Sequence, residues 1–148
     1  MIQNFDKLTF YRKIDVLVAM HVMEWKNIVV ELGQPDIGYG TYWLCKGNPP
    51  GPIVVVWDVI PCYSTLLTSS WDIVRKFEYC YLWRDKESNI NNGMWECKLF
   101  DPKGELLSYG EGRKYYGLAE TEMLAICYAG LKAVEYLIDD FLKEEGKI

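Results

Sequence analysis

Apolar and polar positions alternate along this chain in two different periods, and the switches between them mark out its elements. In "YRKIDVLVAMHVMEW", Ile14, Leu17, Val18, His21 and Trp25 recur at helical spacing. That spacing predicts a helix from about Phe10 to Val30. Val16, Ala19, Met20 and Met23 make it apolar nearly all round, as expected of a helix buried on more than one side. Gly33, Pro35, Gly38 and Gly40 then end the helix in a loop. "TYWLCK" and "IVVVWDV" read as strands on either side of the breaker "GNPPGP". A second helix is expected from Thr65 to Lys76, with Leu67, Trp71 and Val74 on one stripe.

The period then changes to two. In "FEYCYLWRD", Phe77, Tyr79, Tyr81 and Trp83 share one face, with Cys80 and Leu82 on the other. Bulk on both faces predicts a central strand covered on both sides. In "MWECKLF", Trp95, Cys97 and Leu99 oppose Glu96 and Lys98. "DPKG" has the proline and glycine positions of a tight turn, and "ELLSYGEGRKYYGL" continues as strand with a break near Gly110 and Gly112. Thr121 is the expected N-cap of one long closing helix that carries Leu124 through Phe141, with Glu122 in its first turn. The expected fold is therefore α+β: one domain over residues 1–148, a mainly antiparallel sheet and three helices stacked as a three-layer α/β/α sandwich.

Composition narrows the chemistry. The 148 residues carry a formal charge of -5, so a nucleic-acid polymer is not an expected partner, since phosphate-backbone affinity needs positive surface. No apolar run reaches the length of a membrane span, and "MIQNFDKLTF" lacks the basic and cleavage regions of a secretory leader. The five cysteines are odd in number and contain no CxxC, which reads as reduced thiols in a cytoplasm. With His21 the only histidine, no metal site is expected. No catalytic residue or cofactor is assigned. The unusual feature is aromatic content: eleven Tyr, six Trp and five Phe.

Three stretches, "KIDVLVAMHVMEW" (13–25), "IPCYSTLLTSSWDIVRKF" (60–77) and "ETEMLAICYAGLKAV" (120–134), together resemble the phage ABA sandwich domain family of small tailed-phage and prophage proteins. Glu24 stands where that family usually has Gly, Leu66 where Asp commonly follows Ser-Thr, and Ser70 where Ala precedes Trp71. "GNPPGPIVVVWDV" and "ELLSYGEGR" read as insertions. The resemblance implies an α/β/α sandwich and the cytoplasm of an infected bacterial host, but no general activity.

"YST" at 63–65 has an ordinary role, capping a helix through Ser64 or Thr65, and a second one, holding an anion on the same unpaired N–H groups. Around it, Tyr63, Trp43 and Trp57 offer stacking surfaces, and Arg84, Arg113 and Lys114 offer cations. His21 and Trp25 share a helical face. These ten residues form the expected ligand site, although an aromatic stripe is more often core and "GEGRKYYG" more often a solvated hairpin. The leading expectation is a non-catalytic protein that binds a small anionic ligand. Such a site would suit a nucleotide, including a cyclic signal of antiphage defence, sequestered by a homo-oligomer. The alternative is a module binding a host or phage protein, and the third reading is a nucleotide-acting hydrolase.

Overall fold

Thr9 starts the first helix, its hydroxyl accepting from Arg12 N at 3.4 Å. The computed structural model describes residues 2–33, 42–51, 57–84, 93–100 and 114–148, with 114 and 115 described by backbone alone. Helix α1 runs Phe10–Leu17 and widens into a π turn over Val18–Val22. It does not reach Val30. Met23 N bonds to Val18 O, Trp25 N to Ala19 O, and Glu24 between them has φ 59°. That left-handed residue is the standard way to leave a helix. The β-branched run after it, "KNIVVEL", becomes strand β1 (Lys26–Leu32).

β1 pairs antiparallel with β2 (Trp43–Asn48), and β2 with the two-residue β3 (Asp58–Val59), in the order β1-β2-β3. The β1–β2 register slips between Lys26 and Val29. Asn27 has φ 51° at that slip, and its Nδ2 donates to Asn48 Oδ1 at 2.8 Å. Ile14, Val16, Val18, Ala19, Cys45 and Ile60 are almost wholly buried. So is Asp15, whose Oδ2 accepts from Arg12 Nη1 at 2.7 Å. The same guanidinium donates to Ile60 O at 3.0 Å and Pro61 O at 3.3 Å. Arg12 thus ties α1 to the far end of the first of two compact units, Met1–Pro61.

The second unit is Cys62–Ile148. Helix α2 spans Leu67–Val74, shorter than expected at both ends. β4 (Tyr79–Arg84), β5 (Trp95–Phe100) and β6 (Lys114–Ala119) form an antiparallel sheet in that order. Thr121 caps α3 (Glu122–Ala133) by accepting from Leu124 N at 3.3 Å, as the sequence predicted. The closing helix is not continuous. Glu135 adopts φ 62°, and a second helix, α4 (Ile138–Glu144), begins after it. The described chain is therefore α+β with two antiparallel three-stranded sheets and four α-helices.

α3 lies on β6 and β5. The approach is tightest at Gly117, where a β-carbon would stand 2.6 Å from Ala129 N. Cys97, Leu99 and Ala119 are buried on the face toward α3. The other face is open. Tyr79, Tyr81, Trp83, Tyr116 and Leu118 are exposed, from 40% at Leu118 to 66% at Tyr79. The expectation that "FEYCYLWRD" is central and covered on both sides is overturned: among the described residues β4 is an outer strand, and its Tyr-Tyr-Trp face is exposed.

Candidate functional site

Alternation along β4, β5 and β6 sorts the open face. β4 contributes Tyr79, Tyr81 and Trp83; β5 sets Lys98 opposite Tyr81 and Glu96 opposite Trp83. β6 sets Tyr116 opposite Lys98 and Leu118 opposite Glu96. Lys98 is the centre of this face. Its ammonium lies 5.5 Å from the Tyr81 ring centre and 5.1 Å from that of Tyr116, and 3.3 Å from Glu96 Oε1. Two ring faces and one carboxylate hold the lysine upright, each ring contributing about 0.5–1 kcal/mol. The pair leaves the centre of the face electrically neutral, with aromatic and apolar groups around it.

Beneath the sheet, Cys80 Sγ and Cys97 Sγ are 3.9 Å apart. The contact with Cys97 favours the Cys80 thiolate and lowers the Cys80 pKa, against the opposing effect of burial. The same contact, burial and the neighbouring Cys80 and Cys127 push the Cys97 thiol far up. An open hollow of about 580 Å³ lies between α3 and α4, lined by Lys132, Glu135, Tyr136, Leu137, Asp139 and Lys143, among others. Charges of both signs meet there, with Lys132 Nζ 3.6 Å from Asp139 Oδ1. Burial, with Glu144 nearby, raises the Tyr136 phenol pKa. None of the ten residues singled out from sequence lines this hollow. Among the described residues no His, Cys, Asp or Glu cluster has the geometry to hold a metal.

Those ten residues divide between the units. In the first, His21 lies in the π turn, where partial burial pulls its imidazole below the usual pKa. Trp25 is buried beyond the helix end, so the two do not share a helical face. Trp43 is half-buried at the start of β2, and Trp57 is exposed just before β3. In the second unit, Tyr63 and Ser64 are buried and Thr65 is exposed in a turn closed by Thr65 N and Leu66 N on Cys62 O. Neither residue stands at the N-cap of α2. Its N-cap is Leu66, without a side-chain hydrogen bond, because the helix starts two residues later than the pattern suggested.

Arg84 ends β4, donating from Nε to Gly93 O at 2.6 Å, with its guanidinium 5.8 Å from the Trp95 ring centre. Lys114 begins β6 opposite Phe100, which itself faces Tyr79. Arg84 and Lys114 therefore stand at opposite ends of the sheet. Arg113, the remaining cation, lies outside the described residues.

The open face collects Glu96, Lys98, Tyr116 and Leu118, none of them among the ten expected site residues. Their signal was the period-two alternation. It showed who shares a face but not which face is covered. Compared with family models, with curated proteins and with solved structures, the chain matches none.

Proposed function

We propose that this chain is a non-catalytic binding protein that holds a protein partner on the open face of β4–β5–β6. One observation supports this reading: an exposed row of Tyr79, Tyr81 and Trp83, flanked by Tyr116 and Leu118 across a neutral Lys98–Glu96 pair. At 150–250 Å² for a whole aromatic side chain, the exposed fractions amount to roughly 500 Å², near the upper range for an apolar patch on a free monomer. Aromatic residues with few net charges are the composition of an interface centre. A sheet face is broad, whereas small-molecule sites are concave. In the phage setting implied by the family resemblance, the partner is a host or phage protein in the bacterial cytoplasm. The three-layer stacking expected from that resemblance is then completed over this face by the partner.

The test is capture followed by reconstitution. A photo-crosslinking residue at Tyr116 should trap one discrete protein from infected cells. The purified pair should then form a stoichiometric complex, lost in Trp83→Ala/Tyr116→Ala while the circular dichroism is unchanged. A complex that survives this double variant refutes the face as the site.

The nucleotide reading keeps one specific support, the Lys98 ammonium between two tyrosine rings, because cation and ring together also suit a base and its phosphate. Purified protein is incubated with a panel of linear and cyclic nucleotides, then heat-denatured. Intact nucleotide released only on denaturation supports sequestration by a homo-oligomer. A changed nucleotide supports the hydrolase reading. No depletion removes both.

A further inference from the structure

Three of the sheet-edge strands are defended against pairing with another chain. β1 carries exposed Lys26 and Glu31 and a register slip. β3 has only two residues. β6 begins at Lys114 and carries a glycine, Gly117, at its middle. Charges, bulges, brevity and glycine are how proteins blunt an edge. β4 has only a charge at its last residue, Arg84. Its six residues pair with β5 without a break, and no proline, glycine or charge occurs between Tyr79 and Trp83. Among the described residues it pairs on one side only. An undefended aromatic edge of about 20 Å at 3.3 Å per residue invites another strand.

We propose that this strand is β4 of a second copy, paired antiparallel about a twofold axis through Tyr81. Alternate residues point their backbone groups outward, and the same set does so in both copies. The pairing must therefore join odd positions with odd and even with even, which places the axis on a residue and not between two. Centring on Tyr81 pairs Tyr79–Trp83 with its own copy and sets Arg84 opposite Glu78, the residue just before the strand. Tyr79 faces the partner's Trp83, Cys80 faces the partner's Leu82, and the exposed Glu78 faces the partner's Arg84. Arg84 is already steadied at the strand end by Gly93 O and the Trp95 ring. Aromatic pairs and opposite charges across strands are both favourable. This charge complementarity, once at each end, argues for a second copy over an unrelated strand. The product is a six-stranded sheet whose open faces join into one, so the dimer adds to the partner-binding reading and does not compete with it.

Sedimentation equilibrium on the full chain tests this. The wild type should dimerise with a Kd at or below about 100 µM, the strength expected of a small interface. Tyr81→Lys sets two like charges directly opposite each other and should raise Kd about tenfold or more. Glu78→Arg should raise it about tenfold through repulsion at both ends, and adding Arg84→Glu should restore it to within about threefold. Circular dichroism must stay the same throughout. Tyr116→Ala, on the far strand, should leave the dimer intact even where it abolishes partner capture. A wild type still monomeric near 1 mM overturns the proposal. So does an unchanged Kd in Tyr81→Lys, a double charge reversal as weak as the single one, or dissociation by Tyr116→Ala, which means the copies meet face to face.

Discussion

Replacing Gly117 with alanine probes the closest approach in the second unit. A β-carbon there would lie 2.6 Å from Ala129 N, 2.9 Å from the Ala125 carbonyl carbon, and closer still to the Ala125 carbonyl oxygen. All three are helix backbone, which cannot rotate aside. Ordinary contact begins at 3.4 Å, so α3 must retreat from β6 by about 1 Å or more. A gap of ~0.5–1 Å forfeits a quarter to a half of each dispersion contact along the helix. Leu124 through Leu131 are all buried and share that loss. Overpacking costs about 1–3 kcal/mol where side chains adjust, so a rigid backbone clash should cost about 3 kcal/mol or more, lowering Tm by roughly 10 °C.

Two other glycines calibrate the result. At Gly47 a β-carbon meets Lys26 O at 3.0 Å and Ile28 Cγ1 at 3.1 Å, and at Gly51 it meets nothing within 4 Å. Gly47→Ala should cost about 1 kcal/mol and Gly51→Ala about zero. Urea unfolding gives each value from the midpoint at constant m. A loss under about 1 kcal/mol in Gly117→Ala, or an order other than 117, 47, 51, would refute the close-approach argument.

Further outcomes follow from the same geometry. Arg12→Ala leaves the buried Asp15 carboxylate without its guanidinium and should cost about 3–5 kcal/mol in urea unfolding, whereas Arg12→Met/Asp15→Leu should recover most of that; equal losses in both variants count against a buried-charge origin. Iodoacetamide at mildly alkaline pH should modify Cys80 well before Cys97, because their contact lowers the first pKa and raises the second; peptide mapping that finds Cys97 first contradicts this. Glu24→Gly should be about 1 kcal/mol more stable than Glu24→Ala, since both lack the carboxylate and only alanine bears the left-handed penalty; equal midpoints in thermal unfolding would remove backbone strain at residue 24 as an explanation.

Elements whose borders carry chemical markers were legible in the sequence. Thr121 announced α3, and the strict alternation from Trp95 to Leu99 gave β5 and sorted its two faces. The errors cluster where a residue does something unusual for its type. Glu24 and Glu135 adopt left-handed conformations that glycine usually marks, so the helix after Phe10 and the helix after Thr121 each looked longer than they are. "KNIVVEL" is apolar enough to continue either period. The site was legible only as a set of residue types. Tyr79, Tyr81 and Trp83 were seen to share a face, but large aromatic side chains usually signal burial, and only the strand order places them at a sheet edge in solvent. The Arg12–Asp15 pair had a signal in the sequence: two opposite charges three residues apart on one helical face, at the head of an apolar run.

That pair also bears on how the chain is made. Arg12 and Asp15 are made before Ile60 and Pro61, whose carbonyls accept from the same guanidinium. A buried charge pair repays its desolvation only when its remaining donors are satisfied. The first unit therefore cannot close around Asp15 until residue 61 has emerged. At a synthesis rate of about 5–20 residues per second, its helix waits several seconds in an open form. Locking then coincides with the end of the first unit, which stays loose until its own last residues, Ile60 and Pro61, are made.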